Sequence, residues 1–214
     1  MNSSISHTIR NYYRQAPVTS ALFIVMAALA LITSVQSGSV ENNLDYSSVG
    51  QEFVLYGPDL NVAGVVGSMF VHVGIGHFIV NSFFLLLLGR EIEPVVGSWL
   101  YGAVFLTAGI GAAAAVYVMD FYAPTAGASG ALYGLMALLV ALAFRRRADL
   151  RAPIVFIGIN VLFSLISPGV SLWGHLGGLV AGALMTPVVL SNVKIVQWVS
   201  IVVAFVIAVG ILVS

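Results

Sequence analysis

Residues 98–119 read SWLYGAVFLTAGIGAAAAVYVM, 22 positions without one charged side chain. About 20 mostly apolar residues suffice for a helix to cross the hydrocarbon of a bilayer, so this stretch reads as a membrane span. Working outward from it, six further stretches qualify: Pro17–Gln36, Ser68–Leu88, Ser129–Phe144, Ala152–Ser167, Leu172–Leu190 and Val193–Ser214. Those opening at Ser129 and Ala152 are short, which calls for a locally thinned bilayer or a start below its surface. Continuous apolar runs such as Phe83–Leu88 and Gly111–Val116 do not alternate as the strands of an outer-membrane barrel must. The fold expected is all-α, a polytopic bundle of seven transmembrane helices.

The composition agrees. The chain has 214 residues, 60% hydrophobic and 7% charged, with a mean hydropathy of +1.05. A soluble domain carries about 25% charged residues, so a cytosolic enzyme is excluded. Eight basic and eight acidic residues cancel, which leaves no basic face for nucleic acid. Without cysteine there are no disulfides, thiolate metal sites, iron–sulfur clusters or Cys nucleophiles.

Charge placement sets the expected orientation. With the N-terminus in the cytoplasm, Arg10, Arg14, Arg90, Arg145, Arg146, Arg147, Arg151 and Lys194 all fall in cytoplasmic segments or at cytoplasmic helix ends. The outer loops then hold Glu41, Asp45, Glu52, Asp59 and Asp120 and no Lys or Arg. This is the positive-inside pattern, and it puts the C-terminus outside. The first span lacks a clear small-residue cleavage site and is long enough to remain as an anchor. The head, Met1–Ala16, has two Arg and no acid, a pattern that a short organelle presequence also shares. The connection Ser37–Gly67 is too long for a simple turn, and loops of this length are usually functional or disordered. It is expected on the outer membrane surface.

Polar side chains inside spans are costly and face the protein interior or a wet cavity. Of four histidines, His72, His77 and His175 lie within spans, accompanied by Asn81, Ser129 and Asn160. The second, fourth and sixth spans run in the same direction. At 1.5 Å rise per residue, Ser129, His175, His72, His77 and Asn81 fall in one layer of the outer leaflet. Asn160 falls near mid-membrane and reads as a separate matter.

Glycine allows these helices to approach. Gly130 and Gly134 follow Ser129, while Gly174, Gly178 and Gly182 form a strip beside His175. Small residues at four-residue spacing are a generic packing device, but here each strip adjoins a polar residue of the same leaflet. A Ser hydroxyl and a His nitrogen about 2.6–3.2 Å apart make a nucleophile and its base. Ser129 opens a helix, where free N–H groups and the positive dipole end collect. Alone it would read as an N-cap serine. A developing oxyanion would meet the Ser129 N–H, and His77 and Asn81, four apart on one helix face, can add donors. Tyr133, one turn beyond Ser129, can pack on the His175 ring. No carboxylate stands in place as a third member; the pattern is a Ser–His dyad with its imidazole oriented by packing.

These residues resemble the rhomboid family of intramembrane serine proteases. The likeness covers roughly Ser68 to Met185. His72-x4-His77-x3-Asn81 is similar to the family's second-helix motif, Gly127-Ala-Ser129-Gly130 to its nucleophile motif, and Gly174-His175-Leu-Gly177-Gly178 to its base motif. Glu93 with Gly97 resembles a structural Glu-x3-Gly. The resemblance implies Ser129 as nucleophile, His175 as general base, and His77 with Asn81 at the oxyanion. It gives supporting parts to Tyr133, Gly127, Gly130 and Gly178, and to His72 in organising the outer loop or the oxyanion site. Beside the cytoplasmic segment 1–16 that the charge pattern gives, a six-helix rhomboid-like core 17–190 with an additional helix in 191–214 is similar to the six-plus-one layout found within the family. Family members often carry a Trp-Arg pair before the paired histidines. Here that stretch reads Asn61-Val-Ala-Gly-Val-Val66, with no Arg between Arg14 and Arg90, so a different loop packing is expected.

The function expected is an intramembrane serine endopeptidase of the cell membrane, plasma or inner, that needs no cofactor. Its partners would be the lipid bilayer and single-pass membrane proteins, cut near the outer face where helix-weakening residues expose a carbonyl. The short fifth span, beside the second, is a candidate side entrance. A transporter or channel lined by His and Asn would need polar residues through the full depth or an inverted repeat. Metal binding by His72, His77 and His175 fits poorly, because the helical zinc pattern places His at i and i+4 with Glu between. A client-binding inactive relative would lack the Ser or His that this chain keeps.

Overall fold

The computed structural model describes residues 11–167 and 169–214. Residues 1–10 of the expected N-terminal segment, Arg10 among them, lie outside the described residues. The helices in order are α1 (Pro17–Ser37), α2 (Ser48–Phe53), α3 (Val62–Gly67), α4 (Gly74–Val96), α5 (Ser98–Met119), α6 (Ser129–Arg145), α7 (Arg151–Ile166), α8 (Leu172–Val189) and α9 (Lys194–Leu212). Among the described residues there is no strand, only an isolated bridge between Leu55 and Thr125. The protein is a helical membrane bundle. Among the described residues α1, α4, α5 and α9 are long and apolar enough to cross a membrane, and α6 and α7 are shorter apolar helices. Their outward side chains, Leu31, Val35, Ile159 and Val202 among them, are exposed and apolar, as a surface facing lipid tails requires.

Helix α5 is the axis of the bundle. Tyr101, Phe105 and Ala108 on it are fully buried, and α6, α8 and α9 pack around it. Hydrocarbon gives no hydrophobic drive between helices, so close approach and van der Waals contact must hold them. Small residues supply that approach. A Cβ on Gly178 would overlap the Gly130 carbonyl, and one on Gly182 would overlap the Gly134 backbone. A Cβ on Gly177 would come within 2.9 Å of the Gly111 carbonyl oxygen of α5. The two strips read from the sequence therefore face each other directly across the α6–α8 seam.

The start of α1 is held differently. Its N-cap residue Ala16 has no side chain to cap with. The buried Glu93 carboxylate of α4 takes that place, accepting bonds from the Val18 N–H at 2.9 Å, the Thr19 N–H at 2.8 Å and the Thr19 hydroxyl at 2.7 Å. An anion there also meets the positive end of the helix dipole.

Helix bounds follow the expectation within two residues except at the second span, where α4 begins at Gly74 instead of near Ser68. Gly74 has φ +73°, and its N–H bonds to the Asn43 side chain at 2.8 Å, so the helix cannot extend backward through it. His72 consequently stands before the helix, not within it. At the other end α4 continues through Arg90 and Glu93 to Val96, because helix propensity does not stop where lipid stops.

The long connection after α1 is folded. It carries α2, α3 and a 3₁₀ turn at Gly57–Asp59. Leu55 and Thr125 exchange backbone bonds of 2.9 Å each way, and the Gly127 N–H donates to the Ser68 carbonyl at 2.7 Å. Asn43, buried, donates to the Thr33 hydroxyl at 2.8 Å. Main-chain pairing and one asparagine thus hold the loop without an arginine, and they brace the segment that leads into Ser129.

Candidate active site

Three segments build the site. The chain enters α6 through Gly127, whose φ of +125° suits glycine. A Cβ there would come within 2.5 Å of the His77 ring, so the bare backbone lets His77 lie against the turn. Helix α6 then begins at Ser129, with Ala128 as N-cap and no side-chain cap bond. The Ser129 hydroxyl is turned away from capping. It meets His175 Nε2 at 2.8 Å, across the seam where Gly130 and Gly178 bring the two backbones together. The Ser129 N–H lies in the first turn, where amides have no carbonyl one turn back.

The His175 ring is held on both sides. Tyr133 stacks on its face, with centroids 4.3 Å apart and 14° between planes. At its far edge, Nδ1 lies 2.6 Å from the Ser164 hydroxyl of α7. The sequence offered no third group beside the pair; the structure supplies one. Ser164 is an isolated serine in an apolar helix, and nothing in its spacing points to a residue beyond a loop. Its only sequence signal is that a polar side chain sits in a span at all.

Ser129 and His175 open onto a cavity of about 530 Å³, also lined by His77, Asn81, Asn160 and Gly127. Asn81, buried, donates to the His77 carbonyl at 2.9 Å, while its Oδ1 has no hydrogen-bond partner. His72 is not on the cavity wall. It is buried behind His77, ring edge to ring at 5.2 Å, and accepts a long bond of 3.4 Å from the Ala128 N–H. Asn160, read as separate, lines the same cavity and donates to the Phe156 carbonyl at 2.8 Å. The wall beside α7 is apolar: Phe84 of α4 and Phe163 of α7 line it, and Phe84 meets Phe156 with ring centroids 5.0 Å apart.

Chemically, the arrangement offers a hydroxyl on an imidazole nitrogen, the first-turn Ser129 N–H beside it and a cavity of about 530 Å³ in front of it. Fold and site together define a membrane-embedded helical bundle built around a serine–histidine pair. A family model described as the Rhomboid domain matches residues 60–192, well over half of the chain, and the chain belongs to the rhomboid family. It is 36% identical to the rhomboid protease GluP of Bacillus subtilis over 117 residues, 52% of this chain and 23% of the relative. It is 34% identical to the rhomboid-type serine protease 2 of Emericella nidulans over 121 residues, 53% of this chain and 24% of the relative. YdcA of Bacillus subtilis is 24% identical over 194 residues, 85% of this chain and 92% of the relative. The chain thus spans less than a quarter of the length of the first two relatives and most of the length of the third.

Proposed function

We propose that the protein is an intramembrane serine endopeptidase in which Ser129 is the nucleophile and His175 the general base. The observation that carries this is the 2.8 Å contact between Ser129 Oγ and His175 Nε2 at the edge of a cavity onto which His77, Asn81 and Asn160 also open, within an apolar bundle. Family membership and the naming of relatives as rhomboid proteases support it.

Ser129 Oγ attacks the substrate carbonyl carbon while its proton passes to His175 Nε2. The oxygen of the tetrahedral intermediate lies toward the Ser129 N–H, with the His77 ring, which lies against the Gly127 turn, and the Asn81 amide as further donors; preorganised donors of this kind are usually the largest single part of such catalysis. As the C–N bond breaks, the imidazolium returns the proton to the leaving amine. Water then attacks the acyl-enzyme with its proton taken by the same nitrogen, which passes it to Ser129 Oγ as the C–O bond breaks and the acid product is released. Tyr133 keeps the ring in plane, and Gly127, Gly130 and Gly178 let the backbones close around it. His72 acts behind His77.

The finer reading follows from charge and depth. Seven spans would form a six-helix core, 17–190, with residues 191–214 packed outside it. The N-terminus would be cytoplasmic, and the site would open to the outer side of the cell membrane. Substrates would be single-pass membrane proteins entering between α4 and α7. The test is reconstitution in lipid vesicles with a panel of single-pass proteins carrying Gly or Pro near one membrane face. Cleavage near that face, lost in Ser129→Ala and unaffected by chelators, is the expected result. Cleavage that persists in Ser129→Ala would overturn the assignment.

A further inference from the structure

We infer that Ser164 is a positioning residue that holds His175 in the tautomer its role as a base requires. The inference rests on the reading of Ser129 and His175 as nucleophile and base. It comes from an account of the hydrogens along one chain of contacts.

Two contacts of the Ser164 hydroxyl fix its hydrogen. One is His175 Nδ1 at 2.6 Å; the other is the Asn160 carbonyl at 2.8 Å, one turn back in α7. A hydroxyl owns a single hydrogen, a carbonyl oxygen can only accept, and an imidazole nitrogen can do either. If Ser164 gave its hydrogen to Nδ1, its oxygen would face the Asn160 carbonyl with no hydrogen between them. The arrangement that satisfies both contacts has the Ser164 O–H donating to Asn160 and the Nδ1–H donating to Ser164. Nδ1 then carries the proton of the neutral ring, and Nε2 presents its lone pair to the Ser129 O–H. The chain runs in one direction, from Ser129 through His175 and Ser164 to a backbone carbonyl.

Each step keeps its proton count. When Ser129 attacks, its proton goes to Nε2, and the imidazolium gains an N–H there while Nδ1–H stays on Ser164. Ser164 receives no proton. It accepts a bond that strengthens once the donor is charged, as the carboxylate of a Ser-His-Asp triad does, but without a negative charge inside the membrane. Its placement fits this task. Ser164 is buried, and it is the one buried residue of α7, whose other side chains are exposed or half-buried.

The experiment compares wild type, Ser164→Ala and Ser164→Thr in detergent by three readouts. These are kcat and KM on a cleavable substrate, the rate of labelling by a fluorophosphonate, and the ¹⁵N spectrum of His175 assigned against His175→Ala. Ser164→Ala is expected to lower kcat about tenfold, the worth of one charge-assisted bond, with KM unchanged and labelling slowed by the same factor. Ser164→Thr, which keeps the hydroxyl, should restore both. Wild-type His175 should show Nδ1 protonated, and Ser164→Ala a mixture of tautomers. Labelling of Ser164→Ala at the wild-type rate, or Ser164→Thr as slow as Ser164→Ala, would overturn the inference. So would wild-type His175 protonated on Nε2, and that spectrum decides even where Ser164→Ala does not fold. A wild-type protein that never labels would refute the nucleophile assignment, while the tautomer still supports or overturns the role of Ser164.

Discussion

Between α6 and α8, backbone lies against backbone: Gly130 under Gly178, Gly134 under Gly182, with no room for a single added carbon. One helix away, α7 lines the same cavity yet keeps most of its surface outside, with Ile159 61% and Ile166 70% exposed. The first region fixes the distance between the Ser129 hydroxyl and the His175 ring, the two groups proposed to react, where a displacement of 1 Å would be costly. The second forms the outer wall of the cavity, beside which the proposed substrate would enter, and it reaches the pair only through Ser164. Close packing and exposure fall to different helices, and Ser164 is the point where the exposed wall touches the close-packed pair.

That contrast can be broken from the rigid side. Gly178→Val puts a branched side chain into the Gly130 carbonyl, and the seam must part. A destabilisation of about 3 kcal/mol, at the upper end of overpacking costs, is expected in thermal or denaturant unfolding in detergent, together with loss of labelling at Ser129. Unchanged stability would mean that the seam is not close-packed. An intermediate effect is expected at Glu93, which ties α1 to the bundle through one carboxylate. Glu93→Gln keeps one acceptor oxygen and loses the charge, so stability should fall by about 2 kcal/mol, with the fluorophosphonate labelling rate of the folded fraction unaltered. The smallest effect belongs to the lipid-facing side of α7. Ile159→Ala should change stability by less than about 0.5 kcal/mol and leave labelling as in wild type. A large loss there would place α7 among the tightly packed helices and remove the distinction.

How much of this was legible in the sequence follows the same division. The seam could be read because its signal is local: glycines four apart beside Ser129 and His175 mark helix faces that must approach. The Ser–His pairing could be read from the depth of each residue along parallel spans. Ser164 could not, because its partner lies on another helix across a loop, and a serine in an apolar helix usually bonds only its own backbone, as Ser164 also does with Asn160. Asn160 was read by depth alone, which says nothing about which way a helix face turns. The start of α4 was set too early because apolar residues continue back to Ser68, while the left-handed Gly74 ends the helix for a conformational reason that hydropathy does not register. The long connection carries little periodicity; its order comes from pairing Leu55 with Thr125, a contact between residues seventy positions apart.

If His175 makes Ser129 a nucleophile, covalent labelling of the serine reports it. The purified protein is treated with a fluorophosphonate and the adduct located by peptide mass, in wild type, Ser129→Ala and His175→Ala, with and without a chelator. One adduct is expected, on Ser129, absent in Ser129→Ala, reduced at least a hundredfold in rate in His175→Ala in line with the loss of a general base, and indifferent to the chelator. An adduct on another residue, or labelling of Ser129 that proceeds at the wild-type rate without His175, would contradict it.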